Sequence, residues 1–221
     1  MRVVIAGGHG KIAMRLERLL AARGDAVTGL IRNPIQEDDV RATGAMPVVA
    51  DLEAIDAGAL SFLLAGADAV VFAAGAGPGS GIPRKDTVDR AAAILLADAA
   101  ERAGIRRYLL VSSMGVGAQP RPGRAGADEV FAAYLRAKTA AEEELRPRDL
   151  DLTVLRPGAL TDEPGTGRVR LASWVPRGRV SRDDVAEVLR ELLDTPASAG
   201  LTLELVAGDT PIPAAINATF S

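Results

Sequence analysis

Apolar residues along this chain fall into two patterns that take turns. Short continuous runs occupy residues 2–6, 26–31, 46–50, 69–73, 107–111, 152–155 and 201–206. They are rich in β-branched residues and lack in–out alternation, which predicts strands covered on both faces. Between them, apolar positions recur at helical spacing. Ile12, Leu16, Leu19 and Leu20 form one stripe after Gly10, closed by Gly24-Asp25. Asn33-Pro34-Ile35-Gln36 has the chemistry of a helix start, with an asparagine cap and a proline in the first turn. Asp56 opens a helix that closes near Gly66; residues 86–103 form a long helix stopped by Gly104, and residues 128–145 another ended by Pro147. A late helix covers residues 181–193.

Strand and helix therefore alternate over nearly the whole length. That order predicts an α/β fold, a doubly wound parallel sheet with helices on both faces. Ligands of such sheets sit beyond the carboxyl ends of the strands, at the switch point between the first and fourth strands. The length suits one domain, residues 1–221. Residues 159–176 and the C-terminal segment are read as a small substrate lobe. That stretch holds the only tryptophan, Trp174, which is read as packing the lobe onto the domain, with a cover over a ligand as the other reading.

Composition narrows the class. The 26 basic and 29 acidic residues are interspersed and leave a net charge of −3, so neither nucleic acid nor an anionic membrane is expected as a partner. There is no cysteine, which removes disulfides and thiolate metal sites and makes a reducing cytoplasm the expected location. The first apolar run is too short for an export signal. The least charged stretch, residues 59–83, is cut by glycines, which argues against a membrane span.

Candidate chemistry begins right after the first strand, at Gly7-Gly8-His9-Gly10-Lys11-Ile12-Ala13. Strand before and amphipathic helix after give this G-x-x-G-x-x-A spacing the context of a Rossmann-type dinucleotide turn. Gly7 allows a sharp bend, Gly8 and Gly10 are read as clearing space for a pyrophosphate, and Ala13 allows close helix–strand packing. The helix N-terminus offers free N–H groups and positive dipole to the phosphates. His9, the only histidine, is read as a loop residue near phosphate, and no metal is expected.

The second strand ends in Arg32-Asn33. A carboxylate there would bond the ribose 2′-hydroxyl of NAD, whereas a guanidinium pairs with a 2′-phosphate. NADP is therefore expected over NAD. Asp51-Leu52, after the third strand, are placed to meet the adenine edge; a plain capping role is the other reading of Asp51.

Together with Ala73-Ala74-Gly75, Ser112-Ser113, Tyr134-x-x-x-Lys138, Arg156-Pro157-Gly158 and Ser181-Arg182-Asp183-Asp184-Val185-Ala186, these residues resemble the short-chain dehydrogenase/reductase superfamily. The likeness is to its atypical branch of small epimerase-like and NmrA-like proteins, and it covers nearly the whole chain. It implies a seven- or eight-stranded parallel sheet, with Tyr134 and Lys138 at the positions of the catalytic tyrosine and lysine. Ser112 or Ser113 lies near the family's serine, although the extended-family serine aligns with Met114. Asp89 stands where many members carry a catalytic asparagine.

The spacing of Tyr134 and Lys138 places them on one helix face. An ammonium beside a phenol favours the phenolate, so tyrosine can pass a proton to or from a substrate oxygen while lysine holds the nicotinamide ribose. Ser112 and Ser113 have two readings, a hydroxyl that steadies an oxyanion or a strand end. Asp89 likewise either orders the lysine or is a solvated helix residue beside Arg90. Pro157 and Gly158 are candidates for main-chain contacts to the nicotinamide, or a structural turn. Loops 75–83 and 115–127, the latter with Arg121 and Arg124, are expected to shape the substrate pocket. Three functions follow: an NADP-dependent oxidoreductase or epimerase acting through Tyr134, a redox-sensing regulatory binding protein, or a flavin or quinone reductase that needs no tyrosine acid.

Overall fold

The computed structural model describes residues 1–77, 80–117 and 127–220. Seven parallel strands form the body of a nine-stranded sheet: β1 (Arg2–Ala6), β2 (Ala26–Ile31), β3 (Met46–Val49), β4 (Ala69–Phe72), β5 (Arg107–Val111), β6 (Asp151–Pro157) and β10 (Thr202–Ala207). In space they run β3-β2-β1-β4-β5-β6-β10. The strand order reverses between β1 and β4, which pair in parallel from Val3–Ala69 to Ala6–Phe72. Two strands from the reduced C-terminal part extend the sheet beyond β10. They are β8 (Arg168–Ala172), antiparallel to its neighbours, and the short β11 (Thr210–Pro211). The sheet thus exceeds the expected seven or eight strands and is mixed at that edge. A separate parallel pair joins β7 (Ala159–Thr161) to β9 (Arg179–Ser181).

Successive strand residues serve opposite layers, which is why the runs are continuously apolar. Val3 and Ile5 pack with Leu16 and Leu20 of α1 (Ala13–Arg23) and with α7 (Arg182–Leu193) and α8 (Ile212–Asn217). Val4 and Ala6 pack with α3 (Ala57–Leu63), α5 (Ala92–Arg102) and α6 (Ala127–Leu145). Asp56 caps α3 through a bond from the Ala59 N–H at 2.9 Å, and Ser181 caps α7 through a bond from the Asp184 N–H at 3.0 Å. Asn33 caps a short 3₁₀ turn, residues Pro34–Gln36, which leads into α2 (Glu37–Arg41).

The long helix expected over 86–103 differs most from its prediction. A first turn, α4 (Ile82–Arg84), is followed by a π-helical stretch, Lys85–Ala91, before α5 begins. Such widened turns shift side chains off the helical stripe and recur at functional sites. Here the shift buries Lys85 and Asp89. Trp174 also departs from its packing reading: it is 71% exposed. Among the described residues no helix is long and apolar enough to cross a membrane.

Candidate functional site

The glycine turn lies at the carboxyl end of β1, and its neighbours explain each glycine. Gly7 has φ +82°, and a Cβ there would sit 2.6 Å from Ala74 Cα. A Cβ on Gly8 would stand 2.7 Å from Gly29 Cα, and one on Gly10 3.0 Å from the Gly7 oxygen. Beside the expected clearance for a ligand, Gly8 and Gly10 thus answer a demand of the fold itself. Their missing side chains let the turn pack on β2 and on itself. Both the Gly7 and Gly8 N–H groups donate to the Leu30 carbonyl, at 3.1 and 2.8 Å. Among the described residues no side chain caps the start of α1, which leaves the positive end of its dipole open to an anion, although the Met14 N–H is already taken by the Gly10 carbonyl at 2.9 Å.

Over this turn opens a cleft of about 250 Å³. It is walled by Gly7, His9 and Gly10, by Leu30 to Arg32 at the end of β2, by Ala50 to Glu53 after β3, and by Ala73 to Ala76 after β4. Most of the expected cofactor contacts thus converge on one cavity at the switch point. Lys11 and Asn33 are turned to other partners. The Lys11 ammonium bonds Asp162 at 2.6 Å, linking the turn to the segment after β7, and Asn33 accepts from the Ile35 N–H. His9 bonds Asp39 at 2.8 Å. Asp51 accepts from the Glu53 N–H at 3.0 Å and so organises the turn after β3.

At the β2 side of the cleft three charges meet. Glu53 receives Arg84 at 2.6 Å, Arg32 at 3.3 Å and the Thr87 hydroxyl at 2.6 Å. Hydrogen bonds from Arg84 and Thr87 hold its carboxyl below the usual carboxylate range. Arg84 and Glu53 were not anticipated from sequence; Arg84 stands at the end of α4 and reaches the cleft edge through its bond to Glu53.

The Tyr134 end is built from β4, β5, the π-helical stretch and α6. Lys138 is buried, donates to the Val111 carbonyl at 3.0 Å and lies 3.5 Å from the carboxylate of Asp89. Its ammonium stands 5.5 Å from the Phe72 ring centre and 5.9 Å from that of Tyr134. Asp89 is fully closed to solvent and accepts from the Ala76 N–H, so the solvated reading of this residue is overturned. Lys85, absent from the sequence expectations, places a second ammonium 5.6 Å from the Tyr134 ring centre while donating to the Gly77 carbonyl. The other tyrosine, Tyr108, is fully buried and donates to the Ala93 carbonyl.

The two serines part company. Ser112 donates to Glu142 at 2.6 Å, and Glu142 is also gripped by both ends of the Arg156 guanidinium at 2.9 and 2.6 Å. The Ser112 hydroxyl proton is thereby committed to Glu142. Among the described residues Ser113 makes only a long contact to the Met114 carbonyl, at 3.3 Å. Pro157 and Gly158 have their main-chain groups engaged, the Pro157 carbonyl by Met114 and the Gly158 N–H by Leu205. A Cβ on Gly158 would sit 2.4 Å from the Gly178 oxygen, a structural demand on that glycine. Arg121 and Arg124 lie outside the described residues.

This arrangement has relatives. Residues 7–196 match a family described as NAD(P)H-binding. An uncharacterized sugar epimerase, YhfK, of Bacillus subtilis is 34% identical over 98% of this chain and 99% of its own. A candidate NAD-dependent epimerase/dehydratase of Bacillus halodurans is similar in structure, with a TM-score of 0.89, 37% identity and 99% of both chains covered. ChuY of Escherichia coli O157:H7, an anaerobillin reductase, aligns with a TM-score of 0.79 and 28% identity over 95% of this chain and 98% of its own.

Proposed function

Because the chain belongs to this family of NAD(P)H-binding proteins, with an oxidoreductase- and epimerase-like fold, we propose that it is an NADP(H)-dependent oxidoreductase or epimerase acting on a small carbonyl or hydroxyl substrate through Tyr134 and Lys138. The observation that carries the reading is the placement of Tyr134 beside the ammonium groups of two buried lysines, Lys85 and Lys138, the second paired with Asp89, which accepts from the N–H of Ala76 on the cleft wall. The residues present suit the cofactor. The uncapped start of α1 accepts the pyrophosphate, and the cleft beside Leu30, Asp51 and Leu52 takes the adenosine. Arg32 and Arg84 share one carboxylate, Glu53, and together match a 2′-phosphate better than a bare ribose hydroxyl.

The bound nicotinamide would supply or accept the hydride. The chain's own part is proton handling and order. Tyr134 gives or takes the proton at the substrate oxygen, with the ammonium groups of Lys138 and Lys85 beside its ring. Lys138 has three N–H donors; one holds the Val111 carbonyl, one faces Asp89, and the third is free to order a ribose hydroxyl. Ser113, rather than Ser112, is the hydroxyl left to steady the oxyanion. The test is NADPH oxidation against a panel of carbonyl compounds, which include the anaerobillin type that the ChuY likeness suggests. Tyr134→Phe should abolish turnover and leave NADPH affinity unchanged. Unchanged turnover would remove Tyr134 from the mechanism and favour a reductase without a tyrosine acid.

A further inference from the structure

A carboxyl group lies directly beneath the phosphate turn. Glu17, on α1, is fully closed to solvent. Its Oε1 points at the backbone that carries the turn: a Cβ on Gly29 would lie 2.6 Å from it, and one on Gly8 3.0 Å. Among the described residues this oxygen has no hydrogen-bond partner.

The other oxygen, Oε2, stands 3.0 Å from the Thr43 hydroxyl. That hydroxyl has one proton and a shorter contact, 2.6 Å, to the Val40 carbonyl. With the proton on Val40, the Glu17–Thr43 contact is a hydrogen bond only when Glu17 is the acid and donates. The geometry therefore fits a neutral Glu17. Burial acts the same way and pushes this carboxyl up to about 7, against the lowering effect of Arg18 on the same helix.

Other charges on and beside α1 are paired with one another: Arg15 with Asp183 of α7, and Lys11 of the turn with Asp162. β2 carries no charged residue over Ala26–Ile31. In the turn, His9 is paired with Asp39 of α2, and on α2 Arg41 is paired with Glu37 and Asp38. A pyrophosphate on this turn brings negative charge over an ionisable group closed to solvent. We propose that cofactor binding is proton-linked: as the pyrophosphate settles on the glycine turn, Glu17 takes up a proton from solvent and stays neutral in the complex. Affinity then falls as pH rises through neutrality. The inference rests on the NAD(P)H reading of the cleft.

Calorimetry of NADPH binding at pH 7.5, in two buffers of different ionisation enthalpy, tests it. Wild type should take up roughly three-quarters of a proton per NADPH, and Glu17→Gln close to none. The near-isosteric variant should bind up to about tenfold tighter than wild type at pH 8 and equally at pH 6. His9→Gln should keep the uptake. Wild-type affinity for NADH, which has no titrating 2′-phosphate, should weaken over the same range without any mutation. Equal proton uptake in wild type and Glu17→Gln, or uptake lost only in His9→Gln, would overturn the proposal and leave the cofactor reading intact. Failure of the wild type to bind either dinucleotide would overturn the cofactor reading itself, and this one with it.

Discussion

The ammonium of Lys138 and the carboxylate of Asp89 lie 3.5 Å apart with both side chains buried, one on α6 and one on the π-helical stretch. This pair ties the two elements that frame Tyr134. Removing one member leaves an uncompensated charge in the interior, a loss of about 3–5 kcal/mol. Asp89→Ala should therefore lower the urea midpoint sharply, and a midpoint within error of wild type would mean that water already reaches Lys138.

Arg32 and Arg84 converge on Glu53 at the edge of the cleft. A 2′-phosphate competes with Glu53 for both guanidinium groups. Arg84→Ala should weaken NADPH binding by roughly tenfold or more and leave NADH nearly untouched, since a charge-assisted hydrogen bond is worth about 1.5–3 kcal/mol. Glu53→Gln should tighten NADPH only. Equal losses for both dinucleotides in titration calorimetry would assign Arg84 to the adenine or ribose instead.

Glu17 also has a consequence for stability without ligand. Its folded-state value, about 7, lies above the ordinary 4.5, so the unfolded chain releases this proton first as pH rises. Stability from the buried acid is complete below about pH 4.5 and is lost as pH climbs through 7. Glu17→Gln escapes that loss. Its advantage over wild type in urea denaturation should grow by up to roughly 3 kcal/mol between pH 4.5 and pH 8. An advantage constant with pH would show that Glu17 titrates as an ordinary surface acid.

Ser112 and Ser113 should separate by phenotype. Ser112→Ala deprives the buried Glu142 of a donor, at about 1–3 kcal/mol of stability, with little change in kcat. Ser113→Ala should keep the melting temperature and lower kcat by roughly a hundredfold or more. The reverse assignment, read from kcat and thermal melts of both variants, would move the oxyanion role to Ser112.

Much of this molecule is written locally. Continuous β-branched runs specify strands sandwiched between two layers, because residues such as Val3 and Val4 must each find an apolar partner on opposite faces. Caps such as Asp56 and Ser181 satisfy the N–H groups beside them, so helix starts are legible in a few residues. The glycine turn and the Tyr134–Lys138 spacing are local for the same reason. The rest depended on what arrives from elsewhere in the chain. Gly8 is a glycine because of Gly29, and Gly158 because of Gly178. Asp89 is buried because a widened turn rotates it towards Lys138, and Ser112 is engaged because Glu142 and Arg156 meet it across α6 and β6. Whether an ionisable side chain is solvated, paired or poised is set by distant neighbours and by the water they exclude, and only the tertiary structure brings those neighbours together.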